Sequence, residues 1–269
     1  MLNPIVRFFI NCGDSVTIVW LRSLQLLWFI GDTSSTIFES IRTPKKIRWK
    51  ETVYYMDMCG REAFGIISLI CFLMGLILGF QSATQMQKVG ADIFVADLVG
   101  FSILRELGPI MVALICTGRA GSSFAAEIGT MKVNEEIDAM TTLGFNPTRF
   151  LVIPKMLALS LVMPLLTIIG DFFGILGGFA VAKLQLGLGT YQYFDRTTEV
   201  LSVSDLGEGV VKSVVFAVLI SGIGCLRGLQ STADAQGVGR AATSAVVSGI
   251  FLVILSDTIL TMIFTGMRM

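Results

Sequence analysis

Two long stretches of this chain carry almost no charge, and they limit what it can fold into. Residues 63–87 contain no charged side chain, and residues 156–182 contain only Asp171. Each stretch exceeds the roughly 20 apolar residues that a helix needs to cross the hydrocarbon core of a bilayer. Only 15% of the 269 residues are charged, against about 25% in soluble domains, so the sequence predicts an all-α integral membrane protein.

Hydropathy divides the chain into an amino-terminal region, residues 1–61, and a membrane domain, residues 62–269. The first region holds short apolar patches broken by polar residues, with Trp20 and Trp28. This pattern favours an amphipathic helix in the membrane interface, and a frayed extra span is the alternative. Five transmembrane helices are predicted in the membrane domain, at about residues 63–87, 98–118, 156–182, 210–226 and 241–267.

The basic residues are unevenly distributed between the two sides of these predicted spans. If the amino terminus is cytoplasmic, fourteen of the twenty lysines and arginines lie on the cytoplasmic side and five on the other, with Arg105 inside a span. The excess of positive charge in cytoplasmic segments predicts this orientation. Five spans then put the carboxyl terminus on the opposite side of the membrane.

A short acidic segment, Asn134–Gly144, lies on the predicted cytoplasmic side between the second and third spans. Asn134 is a favourable N-cap residue, and Gly144 is typical of the position just after a helix. The helix dipole favours negative charge near the amino-terminal end. Three carboxylates stand there: Glu135, Glu136 and Asp138.

The spacing in and after this segment approximates the EAA loop of ABC-transporter permeases. Asp138, Ala139 and Met140 are followed after three residues by Gly144, and after eight more by Ile153. That loop is a short helix that inserts into a cleft of the ATPase subunit. The sequence therefore predicts a cytoplasmic coupling helix at about residues 134–144.

Two adjacent charged residues, Arg105 and Glu106, lie inside the second predicted span. A charge at the centre of a span costs about 2.5–3.5 kcal/mol on insertion scales, so such side chains usually face a cavity or a partner. Adjacent residues on a helix point about 100° apart, so we expect each to have its own partner or water. The alternative is an interhelical ion pair without a ligand.

Three further ionisable residues lie in or at the ends of predicted spans. Asp171 and Asp257 are single carboxylates, which suit either a proton or cation site or a hydrogen-bonded carboxyl between helices. Lys212 is expected at the outer end of the fourth span, where snorkelling to the headgroups and contact with a ligand are equally good explanations.

The chain does not contain the residues that several kinds of binding or catalytic site normally require. It has no histidine, and its five cysteines form no CxxC pair, which argues against a metal site. The chain has no GxxxxGK[ST] motif, so any ATP and Mg²⁺ would bind to a partner chain. Twenty basic residues balance twenty acidic ones, which gives no indication of nucleic-acid binding. The sequence also shows no nucleophile–base pair that would support a membrane-embedded lipid enzyme.

Several motifs together resemble the MlaE (YrbE) family of ABC-transporter permeases, which serve lipid transport in bacterial envelopes and chloroplasts. The resemblance runs from the first span to the carboxyl terminus. It rests on LRELGP at residues 104–109, GRAGSSFAAEIGTM at 118–131, EEIDAM at 135–140, PLLT at 164–167, KSVVFA at 212–217 and LSDTILT at 255–261.

This resemblance implies a non-enzymatic permease subunit of the bacterial inner membrane that moves phospholipid or a similar lipid. It implies a homodimer, two cytoplasmic ATPase subunits, a periplasmic MCE-domain protein near Lys212, and a role in outer-membrane lipid asymmetry. The carboxyl terminus would be periplasmic. The implied lipid-binding residues are Leu78, Met86, Val89, Arg105 and Glu106. The implied ATPase-coupling residues are Glu135, Glu136, Asp138, Met140 and Gly144. The alternative is a proton-coupled secondary transporter that uses Asp171 and Asp257.

Overall fold

The computed structural model describes residues 47–268, together with residues 31–33, 35, 36, 39 and 42, and in this part of the chain every regular element is helical. The interfacial helix predicted within residues 1–42 lies almost wholly outside the described residues. Within them, five helices are long and apolar enough to cross a membrane: Trp49–Val89, Asp92–Val133, Thr148–Gln185, Val203–Leu229 and Ala235–Met267.

The described helices are named here in chain order. Helix α2 is a continuous helix built of five segments, two of which are π-helical: Val95–Ser102, Ile103–Leu107 (π), Gly108–Cys116, Thr117–Gly121 (π) and Ser122–Val133. The other helices are α1 (Trp49–Met86), α3 (Glu136–Thr142), α4 (Ile153–Gln185), α5 (Thr190–Val200), α6 (Val203–Leu229) and α7 (Ala235–Arg268).

The long helices extend beyond the predicted spans because polar residues at their ends are paired or exposed. Helix α1 begins at Trp49, so residues 49–61 form its first turns, ahead of the span predicted from residue 63. Glu62 on this helix pairs with Arg119 of α2 at 2.6 Å. Helix α6 begins at Val203, so Lys212 lies in its third turn rather than near its outer end.

Helices α1 and α4 make the most extensive contact in the described part of the chain, and glycines allow it. A Cβ atom on Gly75 would lie 1.9 Å from the carbonyl oxygen of Gly174, and one on Gly177 would lie 2.2 Å from that of Phe72. The two backbones therefore touch directly. Small residues at such positions let two membrane helices approach closely.

Helix α5 is held against the start of α2 by an ion pair at the periplasmic side of the predicted topology. Arg196 donates hydrogen bonds to both carboxylate oxygens of Asp97, at 2.9 and 2.7 Å. By accepting these bonds, Asp97 raises the pKa of the Arg196 guanidinium above its ordinary value. The ring of Tyr193 is fully buried next to Phe179 of α4. Helix α5 therefore packs against the adjoining ends of α2 and α4.

A small added side chain at Gly75 is expected to separate α1 from α4. We predict that Gly75→Ala destabilises the protein by about 1–3 kcal/mol, because its methyl group would overlap the Gly174 carbonyl. Gly65→Ala is the matched control on the same helix, since nothing lies within 4 Å of its Cβ position. The measurement is the midpoint temperature for loss of the monodisperse gel-filtration peak in detergent. Equal midpoints for the two variants would contradict the assignment.

Candidate functional site

The second transmembrane helix is irregular where the two adjacent charges stand. Residues 103–107 form a π-helical segment, closed by a hydrogen bond from Gly108 N–H to the carbonyl oxygen of Ile103. Pro109 has no N–H and cannot donate to the carbonyl oxygen of Arg105 four residues earlier. Lys212 of α6 donates to that oxygen instead, with its Nζ at 3.0 Å. The irregular backbone thus leaves the Arg105 carbonyl oxygen without a partner in its own helix, and a side chain of a neighbouring helix donates to it.

Lys212 is the centre of a buried charge cluster that joins three helices. Its side chain is 1% exposed, and Nζ lies 2.7 Å from Glu106 Oε2 and 3.0 Å from Asp257 Oδ1. Nζ also donates to Thr261 Oγ1 at 2.8 Å, and that hydroxyl in turn donates to Glu106 Oε1 at 3.0 Å. The ammonium, two carboxylates and the hydroxyl therefore connect α2, α6 and α7.

Arg105 points to a different part of the same neighbouring helix. Its Nε donates to Asp205 Oδ1 at 2.9 Å, and its second guanidinium nitrogen lies 2.7 Å from the same oxygen. Asp205 also accepts hydrogen bonds from the backbone N–H and hydroxyl of Ser202 at the start of α6. Asp205 and Lys212 are seven residues apart, so they lie on one face of α6. Arg105 and Glu106 have separate partners, as predicted.

Helix α6 comes unusually close to the π-helical segment because of a glycine. A Cβ on Gly209 would lie 2.4 Å from the carbonyl oxygen of Leu104. Gly209 stands between Asp205 and Lys212 on α6, so the same close approach lets both of these side chains reach α2. A larger residue there would move both ion pairs apart.

The cluster carries more negative than positive charge when all its groups are ionised. Glu106 and Asp257 share the single ammonium of Lys212, whereas the Arg105–Asp205 pair is neutral. Arg105 is the exposed member of that pair, with 32% of its side chain accessible against 2% for Asp205. The arrangement can hold three helices together and present a guanidinium at its edge. Among the described residues, no group of histidine, cysteine, aspartate or glutamate could hold a metal ion.

Asp171 lies on the other side of the π-helical segment. Its carboxyl group is 4% exposed, and its Oδ1 has no hydrogen-bond partner within the described residues. The carboxyl sits above Gly108, where an added Cβ would be 1.8 Å from Oδ1. Asp171 therefore packs against α2, while Asp257 faces Lys212. The two carboxylates that were considered for a proton path have different neighbours.

The predicted lipid-binding residues of α1 lie near the start of the charged segment. Leu78 and Met86 are half-buried and pack against an apolar cluster that includes Ile103 and Leu104. Val89 follows α1 in a short 3₁₀ turn and is 70% exposed. The structure thus brings Leu78 and Met86 to the residues that precede Arg105 and Glu106, and leaves Val89 on the surface.

The predicted coupling segment is a two-turn helix with a different start from the one expected. Asn134 ends α2, and Glu135 precedes α3 with a left-handed backbone (φ 59°), so Asn134 is not the N-cap. The abrupt turn between the helices requires this conformation. Gly144, with φ 80°, follows the helix end as predicted. Four of the five predicted coupling residues are exposed: Glu135, Glu136, Asp138 and Gly144.

Apolar residues fix α3 to the rest of the molecule. Ile137 is buried in the main core cluster, and half-buried Met140 packs against it. Leu143 and Phe145, in contrast, are 74% and 49% exposed. Helix α3 therefore has an anchored apolar face, three exposed carboxylates near its start and two exposed apolar side chains at its end.

A second buried charge cluster, at the α3 end of the bundle, was not predicted. Lys155 is fully buried, and its Nζ donates to Tyr55 Oη at 2.7 Å and to Glu127 Oε1 at 3.0 Å. Tyr55 Oη also donates to Glu127 Oε1, at 2.5 Å. The ammonium lies 4.1 Å from the centre of the Tyr55 ring. This cluster joins α1 to the two helices that flank α3.

The structure changes the interpretation of Lys212 most. Snorkelling requires the ammonium to reach the headgroups, yet it is enclosed by Glu106, Asp257 and Thr261. The MCE contact assigned to Lys212 stays a prediction, and its side chain is 1% exposed in the single chain. Asp205 and Thr261 were missed because both look like ordinary helix-end or core residues. The spacing of seven between Asp205 and Lys212 was the signal that could have identified the first.

Comparison with known proteins agrees with the sequence motifs. The family model described as Permease MlaE matches residues 52–263. A probable ABC transporter permease protein of Rickettsia bellii is 36% identical over 247 residues, which cover 90% of this chain and 95% of the relative. One from Synechocystis is 33% identical over 249 residues, covering 92% and 93% of the two chains.

A plant protein is similar as well. The Arabidopsis thaliana protein named TRIGALACTOSYLDIACYLGLYCEROL 1, chloroplastic, is 30% identical over 219 residues. The match covers 81% of this chain and 63% of the plant protein. Similarity therefore extends over most of the described membrane domain in both bacterial and chloroplast relatives.

Removing the central ammonium is expected to cost stability because two carboxylates would then face each other. We predict that Lys212→Met destabilises the protein by about 3–5 kcal/mol. Adding Glu106→Gln to that variant should restore part of the loss, because only one buried carboxylate remains. Lys88→Met, at an exposed position, should change stability by less than about 0.5 kcal/mol. The midpoint of denaturation in detergent is measured for all three variants. A midpoint for Lys212→Met equal to that of the wild type would refute the role of the cluster.

Proposed function

This chain belongs to the MlaE family of permeases, and from that premise we propose that it moves phospholipid, or a lipid of similar shape, through a membrane. The chain is a multi-pass membrane protein and a permease subunit of an ABC transporter. The finer proposal concerns cargo, partners and mechanism. Its cargo would pass between the bacterial inner membrane and a periplasmic MCE-domain carrier, with ATP hydrolysed by a separate subunit that supplies the energy.

The observation that carries the lipid proposal is the position of one charge cluster beside an apolar wall. A lipid needs an apolar surface for its acyl chains and a polar group near its headgroup. Leu78 and Met86 supply apolar surface, and Arg105 is the partly exposed cation of the cluster. The name of the Arabidopsis relative contains the name of a lipid, trigalactosyldiacylglycerol, which supports the same class of cargo.

We propose that a second copy of the chain completes this lipid pocket. The most apolar stretch of α7 is only 11% buried within a single chain, and Met262 and Met267, which follow Asp257 and Thr261 of the charge cluster, are largely exposed. Lipid or a second copy must cover this surface, because exposed apolar area of this extent is typical of an interaction site or a bilayer. A homodimer with the pocket between its subunits would cover this surface and would also complete the pocket.

We propose that α3 transmits the motion of the ATPase subunit. Glu135, Glu136 and Asp138 are exposed carboxylates at its start. Leu143 and Phe145, just after its end, are exposed apolar side chains that would enter a cleft of the ATPase subunit. Ile137 links α3 to the main core. Movement of α3 would therefore move the adjoining ends of α2 and α4.

The cluster of Lys155, Glu127 and Tyr55 explains why such motion would reach several helices together. It cross-links α1, α2 and α4 directly behind α3. Breaking it would leave a charge buried without its partner, so these helices are expected to move as one unit. We propose that this unit compresses the lipid pocket when the ATPase subunits close.

The lipid proposal is tested by photo-crosslinking from α1 in the assembled transporter. A photoreactive residue at Leu78 should crosslink phospholipid, and addition of ATP should lower the yield because the lipid is expelled. Neighbouring Ile77 is 56% exposed and serves as the matched control, which should report bilayer lipid without a response to ATP. An equal ATP response at both positions, or none at Leu78, would count against the pocket.

The coupling proposal is tested by charge reversal on α3. The double substitution Glu136→Lys and Asp138→Lys is expected to lower the amount of co-purified ATPase subunit by about tenfold or more, because like charges would oppose a complementary surface. Asp195→Lys, at an exposed position of α5, is the control and should retain the complex. Recovery of the intact complex from the double variant would contradict the role of α3.

No specific observation favours the proton-coupled alternative. Asp257 is paired with Lys212, and Asp171 packs against α2, so the two carboxylates do not form one path in this structure. The relatives are named ABC transporter permeases. ATP-dependent transport by the reconstituted complex in the absence of a pH gradient would separate the two mechanisms.

A further inference from the structure

A polar cavity lies at the end of the bundle that also carries α3. It has a volume of about 300 Å³ and opens between the last turn of α6 and the first turns of α7. Arg227 and Ser231 line one wall, and Arg240 and Ser244 line the other. Lys132 at the end of α2 donates to the Leu229 carbonyl at 2.8 Å, which places the cavity at the α3 end of the molecule.

Two donors in this cavity lack partners. Ser231 is 5% exposed, and its hydroxyl has no hydrogen-bond partner within the described residues. Arg227 Nε is likewise buried and unpaired, although the guanidinium donates to Ser248 at 2.9 Å. Buried polar groups are nearly always hydrogen-bonded, so two unpaired donors on one cavity wall indicate a missing acceptor.

The charge around the cavity favours an anion. Arg227 and Arg240 line it, and Lys132 is held two residues from Ser231. Asp234 is the opposing carboxylate, and it lies 3.4 Å from Arg240 while also accepting a hydrogen bond from Thr232. Arg240 is 67% exposed, and its guanidinium also donates to Thr232 Oγ1, which lines the cavity, at 3.2 Å. The two arginines of the lining against one neighbouring carboxylate leave excess positive charge.

The position at the end of two spans identifies the kind of anion. Basic pockets between transmembrane helices, at the level where the hydrocarbon ends, are typical sites for phosphate-bearing headgroups. Next to the cavity, α7 exposes Val247 and Phe251, which are 70% and 65% accessible. Acyl chains attached to a headgroup in the cavity would lie along this apolar surface.

We propose that this cavity binds a phosphate group, supplied by an anionic phospholipid of the leaflet at the α3 end. Arg227 Nε, the Ser231 hydroxyl and the Arg240 guanidinium donate to the phosphate oxygens. The site is separate from the proposed transport pocket at Arg105, and it requires only that the chain spans a membrane. A lipid held there would connect α6 and α7 beside the coupling helix.

The test measures binding of dioleoyl phosphatidylglycerol to the purified full-length chain by native mass spectrometry in detergent. The Arg227→Gln/Arg240→Gln double variant should weaken binding by about thirtyfold, from the loss of two cations near the membrane surface. Arg61→Gln removes an equally charged but exposed side chain and should bind as the wild type does. Binding that persists in the double variant but is lost in Arg105→Gln would assign the lipid to the transport pocket and overturn the proposal.

Two further arms make the result decisive. Ser231→Asp places a carboxylate in the cavity without removing an arginine, and it should abolish binding even if the double variant folds poorly. Millimolar inorganic phosphate is tested by thermal stabilisation. Arginine-dependent stabilisation by phosphate without lipid binding would support the site but assign it a soluble anion. Wild-type lipid binding and phosphate response in both the arginine and Ser231 variants would overturn the proposal.

Discussion

A charge in the hydrocarbon core of a membrane must be paired, and most of the structure follows from that requirement. The described helices contain two buried clusters in which a lysine ammonium faces carboxylate and hydroxyl groups from other helices. Each ammonium is nearly inaccessible, and each has partners on two other helices. Because removing one partner would leave a bare charge, these contacts specify which helices meet and at what depth.

The two clusters lie toward opposite ends of the bundle and act on different helices. Lys212 joins α2 to α6 and α7, next to the proposed lipid pocket. Lys155 joins α1 to α2 and α4, behind the proposed coupling helix. Helix α2 contributes to both, through Glu106 and Glu127. A single helix thus connects the proposed site of energy input with the proposed site of lipid binding, which is a physical path for coupling.

Patterns within one segment of sequence predicted most of the fold, whereas contacts between segments were harder to foresee. Five spans and separate partners for Arg105 and Glu106 follow from composition and helix geometry. Lys212 was misplaced because the polar start of α6 resembled a loop, although Ser202 and Asp205 cap a helix there. Lys155 and Tyr55 are far apart in the chain, so nothing local predicted their pairing.

The start of α3 shows a different limit. Asn134 has the side chain of an N-cap, but the preceding helix ends on it, and Glu135 adopts the left-handed conformation that usually belongs to glycine or asparagine. The direction of the chain between two packed helices outweighed the local preference. The assignment of lipid and ATPase contacts was likewise beyond local patterns, because partners outside the chain decide them.

The π-helical segments of α2 have a consequence for how this family can change in length. Each π turn holds one residue more than the α-helical path would need, and consecutive residues are rotated by about 100°. Deleting one residue from Ile103–Leu107 would therefore return that turn to α-helical winding and leave the orientation of everything beyond it nearly unchanged. Deleting one residue from the α-helical stretch Gly108–Cys116 would instead rotate everything beyond it by about 100°, and Glu127 would then face away from Lys155. The π-helical segments are therefore the places where α2 can lose a residue and still keep Glu127 directed at Lys155.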